Sequence, residues 1–191
     1  MKGKGLLIGL AVIVVVALVA GRWYVQGVDH VVTLHENVAA SWSQVENVLQ
    51  RRADLIPNLV ATVKGFAEQE RTVFTEVTRL RSQWGEAKGD RQAQIDNANQ
   101  MSGAIGRLLL VAERYPDLKS NQNFLTLQAQ LEGTENRIAV ERKRYNEAAR
   151  AFNTYKRTFF GRFFASRRDL TEPEPYFEAS EGAEEVPKVE F

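Results

Sequence analysis

The stretch Arg51–Val60 reads RRADLIPNLV and places two arginines, a carboxylate, an amide and a proline within a run of apolar helical spacing. Asp54 has a side chain suited to a helix N-cap. Pro57 would then lie in the first turn of the helix, where its missing N–H costs nothing. The stretch therefore predicts a corner, with one helix ending near Arg52 and the next beginning at Asp54.

Apolar residues three and four positions apart continue on both sides of this stretch, and no alternating strand pattern is present, so the sequence predicts an all-α chain. Gly85 and Gly89-Asp90 predict a second break, and Tyr115-Pro116-Asp117 a third. The predicted helices are 28–52, 54–84, 91–114 and 118–158. Short connections make neighbouring helices antiparallel. We therefore predict an N-terminal transmembrane helix followed by an antiparallel up-and-down four-helix bundle.

The transmembrane prediction rests on Gly5–Gly21 (GLLIGLAVIVVVALVAG), which contains no charged residue. A bilayer core of about 30 Å requires roughly 17–25 apolar helical residues, so this stretch is just long enough. The alternative is a cleaved signal peptide, but cleavage after Ala20 would place the large Leu18 at position −3. The sequence favours an uncleaved signal-anchor. Lys2 and Lys4 precede the stretch, which predicts a cytoplasmic N-terminus and an extracytoplasmic body.

Composition limits the remaining chemistry. The chain has no cysteine, which excludes disulfides, thiolate metal sites and cysteine nucleophiles. The formal net charge is +1, yet from Thr171 onward seven carboxylates face one lysine. This acidic, proline-containing end predicts a mostly disordered tail. The predicted domains are an anchor over 1–27, a helical bundle over 28–160, and a Phe/Arg segment with the acidic tail over 161–191.

The predicted topology brings two helix corners together at the end of the bundle furthest from the membrane. One interpretation is a surface that docks a partner protein or an acidic ligand through arginine forks. The other is a capping and salt-bridge network that locks the two loops. The candidate residues are Arg51, Arg52, Asp54, Asn58, Asp117, Lys119, Asn121 and Asn123.

A second candidate surface contacts the membrane. Helix four is long enough for its end to reach the headgroups, and this end is rich in phenylalanine and arginine, as in amphipathic anchors. Alternatively, the rings complete the bundle core. The candidate membrane-contact residues are Trp23, Tyr24, Phe159, Phe160, Arg162, Phe163, Phe164, Arg167 and Arg168.

Several long motifs resemble the LemA family. The first group comprises Trp42-Ser43-Gln44-Val45 and Arg51–Gly65, followed by Phe66-Ala67. The second comprises Tyr115–Lys119, Asn121–Phe124, Leu131–Ile138 and Arg144-Tyr145-Asn146. The similarity extends from about residue 24 to the end of the chain. It implies a helical bundle on an N-terminal membrane anchor, and it implies no activity.

The residues indicate no catalytic or metal chemistry. A bundle dimetal site needs two Glu-x-x-His pairs, and His30 and His35 do not form them. We interpret His35 as a partly buried, hydrogen-bonded residue. We expect no enzyme activity, no cofactor, no metal site and no nucleic-acid binding.

The expected function is a membrane-anchored scaffold or adaptor in the bacterial cytoplasmic (inner) membrane, with a protein partner or self-association. The alternatives are a membrane-surface organiser that assembles laterally, with coiled-coil-like contacts, and an accessory protein with a small-molecule site in the bundle core.

Overall fold

The computed structural model describes residues 2–178, with side chains from residue 7. Within these residues there are six helices and no strand, so the all-α prediction is confirmed. The helices are α1 (Lys2–Lys64), α2 (Arg71–Glu86), α3 (Arg91–Ala112), α4 (Pro116–Lys119), α5 (Gln122–Arg157) and α6 (Phe159–Ser166).

The predicted corner at Arg52–Asp54 is wrong, because α1 continues through Pro57 to Lys64. A proline inside a helix leaves the carbonyl four residues earlier without its N–H donor. Here that carbonyl belongs to Ala53, and it accepts a hydrogen bond from Arg81 Nε at 3.3 Å. Ile56 and Leu59 are at most 1 % exposed. Packing and a donor from α2 therefore hold the helix together through its proline.

The first break after α1 falls instead at 65–70. Gly65 follows the last helical residue, and Ala67 within this connection is buried. The other two predicted breaks are confirmed. Gly89 has a φ of +92°, and the Asp90 carboxylate caps α3 by accepting from the Ala93 N–H at 3.0 Å. Gly85 lies inside α2 rather than between helices.

The described chain forms two compact units. The first comprises residues up to 40 together with 147–174, and the second comprises 41–146 together with the residues from 175. In the second unit, Trp84 Nε1 donates to Gln50 Oε1 at 3.1 Å, while Arg81 meets Ala53. Residue numbers therefore rise along α1 as they fall along α2, so these two helices are antiparallel.

A single apolar cluster fills much of the second unit. It draws side chains from α1, α2, α3, α4 and α5, so all five helices contribute to one core. Its most deeply buried members are Leu59, Val63, Val77, Leu80, Leu108 and Leu118.

The first unit contains the apolar start of α1, the end of α5, and α6. The apolar side chains of residues 7–19 are exposed, and the most apolar window of α1 has a mean hydropathy of 2.2. By length and composition, α1 is the one helix among the described residues that can cross a membrane. Between α5 and α6, Thr158 Oγ1 accepts from the Gly161 N–H at 3.0 Å and caps α6.

The predicted disorder from Thr171 onward is wrong for residues 174–177. In the first unit, the Asn153 side chain donates to the Glu174 carbonyl and accepts from its N–H, both at 2.9 Å. In the second unit, Asn146 forms the same two-point pair with Phe177, at 2.8 and 3.0 Å. Each amide side chain satisfies both backbone polar groups of one residue after α6, which fixes that residue in place. The rest of the predicted tail, 179–191, lies outside the described residues.

Candidate functional site

Arg52 is the centre of a buried polar network in the second unit. Its side chain is 3 % exposed. Nη1 donates to Ser102 Oγ at 2.7 Å and to Glu135 Oε2 at 3.1 Å, and Nη2 donates to the Ala98 carbonyl at 2.9 Å. One guanidinium therefore links α1, α3 and α5.

Burial dominates the electrostatics of this network. It lowers the pKa of Arg52 from its usual value, an effect that Glu135 opposes and Arg142 reinforces. Burial also lowers the pKa of Arg142, whose Nε and Nη2 make no hydrogen bond to a described residue. The Arg142 guanidinium instead lies over the Phe177 ring, 4.6 Å from its centroid.

A cavity of about 270 Å³ opens beside Arg52 and Ser102. Its wall is mostly apolar, with two carboxylates at one side. The remaining lining residues are Ile105, Gly106, Leu109, Leu131, Glu132 and Glu135. The cavity offers one engaged arginine and two carboxylates to any small molecule that enters.

The first set of predicted docking residues lies along α1 and not at a corner. Arg51, Asp54 and Asn58 are exposed, whereas Arg52 is buried and occupied by its own chain. The Asp54 carboxylate accepts from Gln50 Nε2 at 2.8 Å instead of capping a helix. Because α1 continues twelve residues beyond Arg52, this arginine lies about 18 Å before the end of the helix.

The second set does lie at a helix corner, where part of it serves local structure. Lys119 pairs with Glu113 at 2.5 Å. The Asn121 side chain accepts from the backbone N–H groups of Asn123 and Phe124, at 3.0 and 3.1 Å, which caps the start of α5. Asp117 and the Asn123 side chain are exposed.

The 65–70 connection contacts Arg114 and Tyr115, which directly precede this second set in the sequence. Glu70 Oε1 pairs with Arg114 Nη2 at 3.0 Å, and Gln69 Nε2 donates to the Tyr115 hydroxyl at 2.6 Å. The prediction missed these contacts, although Gly65 after Lys64 is a helix-stop signal that locates the connection. These contacts join the 65–70 connection to the start of the second corner through residues that are not in the predicted set.

An open groove of about 580 Å³ lies between the end of α1 and α2, and we call it the corner groove. Lys64, Arg71 and Arg79 supply three cations against the single carboxylate of Glu68. Neither Lys64 nor Arg71 forms an ion pair with a described residue. The rest of the lining is hydroxyl or apolar, namely Val60, Phe74, Thr75, Thr78 and Ser82.

In the first unit, α6 packs its aromatic rings onto the residues that directly follow the apolar stretch of α1. The Trp23 ring lies 5.1 Å from Phe160 and 5.2 Å from Phe164, and the Tyr24 ring lies 5.9 Å from Phe164. Phe164 is 2 % exposed, whereas Phe159 is 83 % exposed. Among the predicted membrane-contact residues, the Phe164 ring thus packs within the unit, whereas the Phe159 ring faces outward.

The remaining members of this set are exposed. Phe160 and Phe163 keep part of their rings accessible, and Arg162, Arg167 and Arg168 all face solvent. Arg167 lies over the Phe163 ring at 5.3 Å. An outward face with phenylalanine rings and arginines is typical of a helix that lies in a membrane interface.

The contact between α6 and α1 depends on Gly27, because a Cβ there would overlap the Phe164 ring. We expect Gly27→Ala to displace Phe164 and to increase hydrogen exchange across α6 by at least about tenfold, since overpacking costs roughly 1–3 kcal/mol. Exchange followed by mass spectrometry measures this in the full chain.

Gly21→Ala is the matched control, because a Cβ at Gly21 meets no atom within 4 Å. It adds the same methyl group to the same helix and should leave α6 unchanged. Equal exchange of α6 in both variants would show that the Phe164 contact does not hold this helix.

A family model for the LemA family matches residues 41–191 of this chain. The chain belongs to the LemA family. The resemblance of its motifs to that family is therefore confirmed. The matched range includes the Arg52 network, the corner groove and α6, so all three lie in the family-like part of the chain.

Three curated LemA-like relatives carry the name magnetosome protein MamQ. MamQ 2 and MamQ 1 of Paramagnetospirillum magneticum are each 28 % identical over 177 residues, covering 79 % of this chain and 65 % of theirs. MamQ of Magnetospirillum gryphiswaldense is 26 % identical over 147 residues, covering 64 % of this chain and 54 % of its own. The chain thus spans less than two thirds of the length of these relatives.

Proposed function

We propose that this LemA-family chain is a non-enzymatic, membrane-anchored helical scaffold or adaptor that docks an acidic segment of a partner protein in the corner groove. The anchor in this proposal is the apolar start of α1, an uncleaved span of a bacterial cytoplasmic membrane. The body of the protein lies on the extracytoplasmic side, where its helices form an up-and-down bundle.

The observation that carries the docking proposal is the charge of the corner groove. Lys64 and Arg71 project into it without an ion-pair partner among the described residues, next to the apolar side chain of Phe74. Arginine and lysine beside an apolar surface suit an acidic peptide that also carries an apolar residue. The neighbouring corner, with Asp117 and Lys119, would form the rim.

A reversal of charge in the groove tests docking. We expect Lys64→Glu combined with Arg71→Glu to abolish the partner crosslinks of the full chain, because two attractive charges become repulsive. A membrane-impermeant crosslinker added to spheroplasts, followed by mass spectrometry, reports partners and self-association and also tests whether the body is extracytoplasmic.

Lys88→Glu combined with Lys143→Glu is the control, since both lysines are exposed and lie outside the groove. It reverses two charges and should keep every partner crosslink. Crosslinks that survive the groove variant would contradict docking there. Crosslinks that appear only between copies of this chain would favour the lateral organiser.

The cavity beside Arg52 favours a second candidate, an accessory protein with a small-molecule site. Carboxylates and an arginine converge on about 270 Å³ with apolar walls, which are the features of a ligand pocket. Three intramolecular hydrogen bonds already occupy Arg52, however, so the network serves packing first. The adaptor function is therefore the preferred proposal, and the small-molecule site is the alternative.

A further inference from the structure

A further pocket lies in the first unit, where the Phe/Arg segment meets α1. It has a volume of about 210 Å³ and lies between residues 24–29 of α1, which follow the apolar stretch, and the residues at the end of α6. Its lining residues are Tyr24, Val25, Val28, Asp29, Arg167 and Arg168. The pocket thus combines an aromatic ring, two valines, two guanidinium groups and one carboxylate.

The position of the pocket along α1 matches the headgroup layer of a bilayer. The uncharged stretch ends at Gly21, and residues 24–29 follow it by about 5–12 Å at the helical rise. The polar layer on each face of a bilayer is roughly 5–8 Å thick. A pocket that begins at Tyr24 therefore opens at the level of lipid phosphates if the apolar stretch spans the membrane.

The two arginines are held at the pocket by local structure. The Arg167 and Arg168 N–H groups donate to the carbonyls of Phe164 and Ala165, at 3.2 and 3.0 Å. Asp169 then has a φ of +56°, and the Leu170 N–H donates back to the Ala165 carbonyl at 3.1 Å. These bonds close the end of α6 and fix the backbone from which both guanidinium groups project.

The charged side chains of the pocket are available to a ligand. Asp29, Arg167 and Arg168 form no ion pair with any side chain among residues 7–178. Two guanidinium groups attract an anion, and a phosphodiester accepts paired hydrogen bonds from them. Asp29 itself attracts a cation, so the pocket is charged at two points of opposite sign.

We propose that this pocket binds the headgroup of a membrane phospholipid that carries both a phosphodiester and a primary ammonium group. Arg167 and Arg168 bind the phosphodiester, and Asp29 accepts hydrogen bonds from the ammonium, with the Tyr24 ring beside it. The acyl chains follow Val25 and Val28 toward the apolar stretch. The proposal rests on the membrane anchoring proposed above and is independent of docking in the corner groove.

The test is native mass spectrometry of the full chain released from nanodiscs that contain equal parts of phosphatidylethanolamine, phosphatidylglycerol and phosphatidylcholine. We expect retained phosphatidylethanolamine on the unaltered chain. Arg167→Gln combined with Arg168→Gln should reduce its retention at least about tenfold, since two charge-assisted contacts are lost. Asp29→Asn should keep the phosphodiester contact and bring the phosphatidylethanolamine-to-phosphatidylglycerol ratio to about one.

Arg150→Gln combined with Arg157→Gln is the matched control, because both arginines are exposed in the same unit and neither lines the pocket. It should leave lipid retention unchanged. Circular dichroism establishes that each variant keeps its helix content.

Three outcomes would overturn the proposal. They are the loss of all lipids on release, a preference for phosphatidylglycerol that Asp29→Asn leaves unchanged, and equal losses in the pocket and control variants. A chain that fails to enter nanodiscs at all would instead overturn the proposed membrane anchor. Retained lipid with no partner crosslinks would leave the pocket intact and remove the adaptor function.

Discussion

Replacing Arg52 with alanine is expected to lower the free energy of unfolding by about 3 kcal/mol, because it removes a buried cation that joins three helices. The loss includes three hydrogen bonds and the packing of the side-chain stem. Glu135 is 51 % exposed and can be solvated afterwards, so its Coulomb attraction contributes the smaller share. Urea unfolding of the full chain in detergent, followed by circular dichroism, measures the change.

Two variants separate the causes. Arg51→Ala removes the adjacent arginine, which is exposed, and should change the free energy of unfolding by no more than about 0.5 kcal/mol. Arg52→Met retains most of the side-chain volume without the charge and should fall between the other two. If Arg52→Ala were as stable as Arg51→Ala, the network would contribute nothing to folding, and the arginine would be free for a ligand in the neighbouring cavity.

Local rules predicted the helices well where only apolar spacing mattered. Val38, Val45 and Leu49 lie on one face of the predicted helix 28–52 and are all buried. The same rules failed at Pro57 because the group that compensates for the proline lies on another helix. Arg81, twenty-eight residues later, supplies the donor for the Ala53 carbonyl. A rule that considers neighbouring residues only cannot find such a donor.

The candidate docking surface shows the same limit. The sequence identified Arg52 as unusual, and Glu135 lies in a second motif of the family, yet their pairing across 83 residues is a property of the packed helices. Once α1 extends to Lys64, the corner moves about 18 Å from Arg52. Gly65, Gln69 and Glu70 then take the positions that the prediction assigned to the Arg51–Asn58 stretch.

The disorder that composition predicts for the segment after α6 is wrong around Phe177. Acidic residues and prolines favour disorder, but Phe177 is 6 % exposed. Its ring stacks on Trp42 at 6.0 Å and meets the Tyr145 ring edge-on at 5.9 Å. These two ring contacts, the cation–π contact with Arg142 and the two hydrogen bonds with Asn146 order Phe177 in a segment whose composition favours disorder. Tyr176-Phe177 lies within the range that resembles the LemA family, although composition assigns it to the tail.

Phe177→Ala is expected to release this segment from the second unit. A buried phenylalanine truncated to alanine costs about 3–5 kcal/mol, and the cost falls to the lower end where neighbouring side chains collapse into the space. We therefore expect the substitution to lower the free energy of local opening of residues 175–178 by about 3 kcal/mol. Hydrogen exchange at the Phe177 amide, which donates to Asn146 at 3.0 Å, should accelerate by at least about a hundredfold.

Tyr176→Ala is the matched control, because it removes an aromatic ring of similar size that is 37 % exposed at the neighbouring position. It should leave the Phe177 amide protected. Asn146→Ala provides a second test, since it retains the Phe177 ring but removes both hydrogen bonds from the Asn146 side chain. It should accelerate exchange of the Phe177 amide about tenfold. If Phe177→Ala left the amide protected, the backbone pair with Asn146 alone would hold the segment, and the contact of Arg142 with the ring would have no structural role.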